Sequence, residues 1–299
     1  MTLLSAWPGS PGQAASSSGL LLARRPVALE ANATLVERED LVSTIVRLCF
    51  REDDGVPAFR AGQYFAIGLR VDGRSVQRPY STASVPGERP DLEFLVRLVP
   101  GGAFTPSLWR LRPGDRVRIG PPKGLFTLDA GDPRRHLFLS TGTGIAPFLS
   151  MLGSLLDGRR ADPVGGGGAG PPVVVHGVAT VPELAYRERL EQLARRGGIV
   201  YLPAVSRPDD PANAGWRGHT GRLDGLAEEI FEQAGLDPAA TVAYLCGNPA
   251  MIAAVEPRLA ALGVRPSAIR AEGYWTPADR LVAPGDQASA DQTGALTAG

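Results

Sequence analysis

Ser140-Thr141-Gly142-Thr143-Gly144-Ile145-Ala146-Pro147-Phe148 decides how the second half of this chain is to be read. A short apolar run, His136 to Ser140, leads into it, and Ile145 to Leu156 follows with apolar residues at helical spacing. The order is strand, glycine-rich turn, helix. Glycines let the backbone turn tightly and approach a pyrophosphate, and the exposed N–H groups of a helix start face it. The pattern is GxGxxP, with proline where the dinucleotide fingerprint has glycine or alanine. Pro147 suits a first helical turn, because the N–H it lacks has no partner there. Taken alone, the stretch is also compatible with a plain strand-to-helix connection.

Downstream the same alternation repeats. Strands are expected at Val173–Val178, Ile199–Val205 and Val242–Cys246, and helices at Val181–Arg196, Leu223–Gln233 and Pro249–Leu262. Such βαβα repetition predicts a doubly wound parallel sheet over residues 134–275. Gly158 to Pro172, with four consecutive glycines at 165–168, reads as a flexible loop insertion.

Upstream the rhythm differs. Residues 1–28 are rich in Ser, Gly, Ala and Pro and read as a disordered extension. Short strands are expected at Leu41–Phe50, Gln63–Leu69, Leu92–Val99 and Arg116–Gly120, separated by turns such as Pro100-Gly101-Gly102. Strands this short and this regularly punctuated predict an antiparallel β-barrel over residues 29–133. Thr105 to Leu111 is its one short helix, with Thr105 as N-cap. The tail, residues 276–299, is again Ala-, Gly-, Asp- and Pro-rich and expected to be disordered.

Composition excludes several classes. At 299 residues the chain is long enough for two cores. Hydrophobic content of 43% and charged content of 21% are those of an ordinary globular chain. With 31 charges of each sign, nothing draws it to nucleic acid or to a membrane surface. Lys123 is the only lysine, so the positive charge is almost all arginine, which suits bidentate phosphate contacts. No run approaches the ~20 apolar residues of a membrane span. Two distant cysteines, Cys49 and Cys246, are too few for an iron–sulfur cluster. Their sparse use fits a reduced, cytoplasmic protein. No metal site is expected.

Arg78-Pro79-Tyr80-Ser81 is the corresponding stretch of the barrel half. A tyrosine between an arginine and a hydroxyl suits a flat, anionic ligand: a face to stack on, a charge for phosphate, a donor for the ring edge. The residues by themselves leave a second reading open, with Tyr80 in the barrel core and Arg78 solvated.

Six motifs in order resemble the ferredoxin–NADP reductase family, especially its bacterial flavoprotein members. RPYS resembles the family's flavin motif, Val99-Pro100-Gly101-Gly102-Ala103-Phe104-Thr105 its pyrophosphate loop, and STGTGIAPF its nucleotide turn. Ser206-Arg207 with Thr220-Gly221-Arg222, then Cys246-Gly247-Asn248-Pro249, then Glu272-Gly273-Tyr274-Trp275 follow in the family's order. The resemblance spans roughly Ala31 to Trp275 and implies FAD in the barrel and NADP(H) on the parallel sheet.

Carried over residue by residue, it implies that Tyr80 stacks on the flavin, Ser81 bonds near its reactive nitrogen, and Arg78, beside Pro79, meets the FAD phosphates. Leu95, Val96 and Arg97 would run beside the adenine half, and Ala103, Phe104 and Thr105 would meet the pyrophosphate. On the second half it implies Thr141, Gly142, Thr143, Gly144, Val178, Ala179, Gly247, Asn248 and Pro249 around NADP, with Thr143 also reaching the flavin. Cys246 would approach the nicotinamide. Together with Ser81, Glu272, Tyr274 and Trp275 it would form the reaction centre. The two aromatics would cover the ring face on which the nicotinamide lands.

Charge argues for NADP over NAD. An acid at the end of the second strand claims the ribose hydroxyl of NAD, and His176-Gly177-Val178-Ala179-Thr180 has none. Ser206, Arg207 and Arg222, with Arg217 nearby, supply a hydroxyl and cations for a 2′-phosphate. Relatives often carry a further arginine at the position of Ala179, so the preference is softened here. His176 reads as a strand-end residue rather than a catalyst, and Cys49 as a small buried hydrophobe.

The function so implied is electron exchange between NADP(H), FAD and a transient, electrostatically bound ferredoxin or flavodoxin, by a monomer. A free flavin reductase or oxygenase reductase component, and a non-enzymatic redox-sensing module, are the other readings.

Overall fold

The computed structural model describes residues 30–161, 170–275 and 296–297. The disorder expected for residues 1–28 lies outside the described residues, as do 162–169 of the glycine loop and all but two residues of the tail.

Six antiparallel strands make the first half: β1 (Ala33–Val42), β2 (Ile45–Glu52), β3 (Tyr64–Val71), β4 (Arg74–Ser81), β5 (Leu92–Arg97) and β6 (Arg116–Ile119). They lie in the order β4-β3-β6-β1-β2-β5. Just past β4, the bridge between Thr82 and Phe94 joins one edge of the sheet to the other and closes the barrel. Alternate side chains point inward, so Leu35, Leu48, Phe50, Phe65, Ile67 and Phe94 are fully buried. Phe65 and Phe94 meet edge-on at 6.2 Å, each burial worth roughly 2–3 kcal/mol. A short helix, α1 (Thr105–Trp109), follows β5.

The second half is a parallel sheet of β7 (Arg135–Thr141), β8 (Val173–Val178), β9 (Val200–Val205), β10 (His219–Thr220), β11 (Thr241–Gly247) and β12 (Ile269–Trp275). The order β10-β9-β8-β7-β11-β12 reverses between β7 and β11. A crevice therefore opens at the carboxyl ends of those two strands, where ligands of open α/β sheets bind. Helices α2 (Ala146–Ala161) and α3 (Arg187–Arg195) cover one face; α4 (Ala227–Ala234) and α5 (Pro249–Leu262) cover the other. One buried cluster joins the halves: Ile45, Ala61, Leu95 and Phe126 pack with Phe138, Phe148 and Tyr244. That shared core fixes the barrel against the sheet's crevice.

Several expectations change. The single strand Leu41–Phe50 is a hairpin, with Val42 facing Ile45 across a turn at residues 43–44. Both arms point apolar residues inward, so the alternation runs through the reversal without marking it. Thr105 is not the N-cap of α1. Phe104 holds that place, and the Thr105 hydroxyl instead bonds the N–H and carbonyl of Val99 at 3.0 and 3.3 Å. The helix expected from Val181 is a 3₁₀ turn, Val181–Glu183, followed by α3, because Tyr186 sits in the left-handed region at φ 59°. Likewise Leu223–Gly225 is a 3₁₀ turn ahead of α4. Residues 158–161 extend α2 rather than opening the loop. In the tail, Leu296–Thr297 form a strand, β13, parallel to Tyr274 and Trp275 and against β4. The free edge of β12 offers it unpaired backbone groups.

Candidate functional site

The strand-to-helix turn is built by close backbone approach. Gly144 leaves no room for a side chain: an added Cβ would stand 2.4 Å from the Cys246 carbonyl oxygen. Gly247, at φ 128°, would place one 2.4 Å from the Thr141 hydroxyl. Two strand ends thus touch directly. The Thr141 Oγ1 accepts from the Asn248 N–H at 2.9 Å, and Asn248 Oδ1 caps α5 by accepting from Ala250 N–H at 2.7 Å. Buried His176 fixes the other side of the turn, its Nε2 lying 2.9 Å from the Gly142 carbonyl oxygen. Burial pulls its pKa down to about 4, so the ring is neutral and donates from Nε2.

Around this turn lies a cleft of about 380 Å³. Thr141, Gly142, Thr143, Val178 and Ala179 line one part of it. Ser206, Arg222, Gly247 and Asn248 line another. Gly144 and Cys246 lie buried beneath the floor, while Arg207 and Pro249 stand outside its lining. Two charged residues of the wall had no sequence signal. Glu183 and Asp224 reach it from the two unforeseen 3₁₀ turns, and Asp224 pairs with Arg222 at 3.3 Å. Arg97, expected along the adenine half of a flavin, also lines this cleft and pairs with Glu183 at 2.6 Å.

A smaller cavity, about 30 Å³, adjoins it and is bounded by Pro79, Tyr80, Ser81, Leu95 and Ala146. Arg97, Thr143 and Tyr274 bound both spaces, so the two share a wall. Tyr80 is only 7% exposed, packs 6.4 Å from the Phe104 ring, and has a buried hydroxyl without a partner. The Tyr274 hydroxyl, beside Cys246 and Ser81, also lacks a partner of good geometry. Arg78, Val96, Ala103, Phe104 and Thr105 line neither space; Val96 and Phe104 are in the barrel core, and Arg78 donates to the Gln77 carbonyl at 2.9 Å. The Trp275 side chain lies outside the described residues.

Behind Tyr80, the buried Ser81 Oγ donates to Glu272 Oε2 at 3.1 Å. Glu272 stands beside Cys246 in the sheet register. Burial lifts the Glu272 carboxyl to about 8 and the Cys246 thiol well above its ordinary value. Both groups are therefore neutral at pH 7. Among the described residues no helix is long and apolar enough to cross a membrane, and no cluster of metal-ligating side chains occurs.

Two family models match the chain: an oxidoreductase FAD-binding domain over residues 32–128 and an oxidoreductase NAD-binding domain over residues 138–257. Ferredoxin–NADP reductase B of Sorangium cellulosum is 35% identical over 248 residues, covering 81% of this chain and 96% of that protein. The toluate 1,2-dioxygenase electron transfer component of Pseudomonas putida is 31% identical, covering 70% of this chain and 57% of the longer relative. The fold matches a crystal structure of a ferredoxin NADP+ reductase from Neisseria gonorrhoeae with bound FAD and NADP, at TM-score 0.68 and 24% identity, over 82% of this chain and 99% of that one. With its barrel, its switch-point crevice and relatives that span nearly its whole folded length, the chain belongs to the ferredoxin–NADP reductase family of FAD- and NAD(P)-binding oxidoreductases.

Proposed function

We propose that this protein is an NADP(H)-dependent FAD enzyme that exchanges single electrons with ferredoxin or flavodoxin. The observation that carries this reading is the shared wall: Arg97, Thr143 and Tyr274 bound both the flavin-motif cavity and the nucleotide cleft. The smaller cavity, about 30 Å³ as it stands, would admit a ring only if Tyr274 moved outward, and a nucleotide in the cleft would then meet that ring at Tyr274. The residues present fit these groups. Two unpartnered tyrosine hydroxyls flank the smaller cavity, and two glycines clear the backbone for phosphate. We divide the chain accordingly, with residues 29–133 for FAD and 134–275 for NADP(H).

Once bound, the cofactors supply the hydride and one-electron chemistry, and the protein supplies position and electrostatics. Tyr80 and Tyr274 would face the ring from opposite sides and keep water out. Ser81 would hold its edge, with Glu272 behind as a neutral acid able to pass a proton through Ser81 Oγ. Cys246, uncharged and beneath the crevice floor, would shape the nicotinamide pocket without adding charge. Arg78 and the backbone of Ala103, Phe104 and Thr105 would serve the FAD phosphates.

Preference for NADP(H) rests on Ser206 and Arg222 in the cleft wall and on the lack of an acid at the end of β8. Asp224, paired with Arg222, tempers it. For the electron partner, charge is the guide. Residues 55–82 carry Arg60, Arg70, Arg74 and Arg78 against one carboxylate, Asp72, and Lys123 precedes the 91%-exposed Leu125. A stretch this rich in arginine around the Arg78-Pro79-Tyr80-Ser81 motif suits an acidic carrier protein. We place the protein in the cytoplasm, consistent with two free buried thiols. Likeness to the dioxygenase electron transfer component supports a second reading, an oxygenase reductase component. Cytochrome c reduction by NADPH tests the choice. A rate that rises with added ferredoxin or flavodoxin supports the first reading, and a rate indifferent to both refutes it.

A further inference from the structure

Arg97 and Glu183 come from different halves of the molecule. Arg97 ends β5 of the barrel, while Glu183 lies on the 3₁₀ turn after β8 of the sheet. Their side chains meet at 2.6 Å across the nucleotide cleft, and both line it. Glu183 is held on its own side. Its other carboxylate oxygen accepts from the Thr180 hydroxyl at 3.3 Å, and its N–H bonds the Thr180 carbonyl at 2.9 Å. Arg97 hangs over the turn: its Nη2 stands 3.1 Å from the point where a Cβ on Gly142 would lie. That position is open to any phosphate seated on the turn. A guanidinium binds phosphate in the same forked manner as it binds carboxylate.

We propose that Glu183 is a built-in competitor for Arg97: it parks the guanidinium across the cleft, and the nucleotide's pyrophosphate displaces it to bind. The pair is half exposed at Arg97, with 39% of that side chain accessible against 17% for Glu183. Pairs this wet contribute little net stability and exchange readily. The nucleotide must first break this pair, so Glu183, acting through Arg97, limits affinity and hastens release. The inference deepens the nucleotide reading of the cleft and rests on it.

Isothermal titration of the FAD-loaded full-length protein tests it, with NADP+ as the probe that carries a pyrophosphate and 2′-AMP as the one that does not. Glu183→Gln should tighten NADP+ by about threefold to tenfold, the scale of one charge-assisted contact, and leave 2′-AMP unchanged. In an Arg97→Gln background the same change should give no gain. Unchanged or weaker NADP+ binding by Glu183→Gln would overturn the proposal, as would an equal gain for 2′-AMP. Should that variant fail to fold, Glu183→Asp, whose shorter carboxylate falls back from Arg97, should shift affinity in the same direction. A wild-type protein that binds neither probe would refute the nucleotide reading itself rather than the competition.

Discussion

Ser81 and Glu272 are 191 positions apart in the chain, and their side chains share a buried hydrogen bond of 3.1 Å. One stands at the end of β4 in the barrel and the other near the end of β12 in the sheet. The bond therefore ties the end of β4 in one half to β12 of the other, and it does so with a carboxyl that burial keeps protonated.

That carboxyl sets a pH dependence. Glu272 titrates at about 8 in the folded chain against an ordinary value of 4.5. The folded state thus holds its proton more tightly, and stability from this group is full below pH 4.5 and declines as pH rises through 8. The decline approaches roughly 1.4 kcal/mol per pH unit within that window. Thermal unfolding of wild type and Glu272→Gln from pH 6 to 9 checks it: the wild-type midpoint should fall more steeply than that of the variant, which cannot ionise.

His176 runs the other way. Its folded pKa of about 4 lies below the ordinary 6.5, so its contribution is present above pH 6.5 and is lost as pH falls toward 4. His176→Phe removes the donor to the Gly142 carbonyl and should cost about 1–3 kcal/mol at pH 7. In urea unfolding, the stability gap between wild type and variant should narrow from pH 7 to pH 5.

The nucleotide turn was legible in the sequence because its glycines and its flanking apolar runs mark strand, turn and helix independently. RPYS by itself left a core tyrosine and a solvated arginine open, and only the resemblance pointed it to a flavin. What the sequence hid lies in short irregular pieces. Glu183 and Asp224 face the cleft only because Val181–Glu183 and Leu223–Gly225 form 3₁₀ turns where helical spacing promised α-helix. Arg97 was expected beside the flavin motif, and it does bound that cavity, but its second place in the nucleotide cleft depends on Glu183, 86 positions away. The hairpin at residues 43–44 escaped notice for want of a turn residue such as glycine or asparagine.

Cofactor choice follows from the cleft wall. Arg222 lines it and Arg207 does not. Arg222→Ala should raise the KM for NADPH by about tenfold or more, the scale of one phosphate contact, with a much smaller change for NADH. Arg207→Ala should move either value little. Ala179→Arg, which adds a cation to the same wall, should lower the KM for NADPH alone. Steady-state kinetics with both nucleotides measures all three.

The Gly144 position tests the architecture of the crevice. Gly144→Ala forces a methyl to within 2.4 Å of the Cys246 carbonyl oxygen, with backbone rather than a flexible side chain as the obstacle. It should destabilise the protein by about 2–4 kcal/mol and weaken NADP+ binding. Gly158→Ala, at a site with nothing within 4 Å, is the matched control and should be neutral or slightly stabilising.

Anaerobic stopped-flow mixing of the FAD-loaded protein with NADPH, and separately with NADH, follows hydride transfer to the flavin itself. Flavin absorbance should bleach with both nucleotides and faster with NADPH. A flavin that stays oxidised in the presence of either would contradict it.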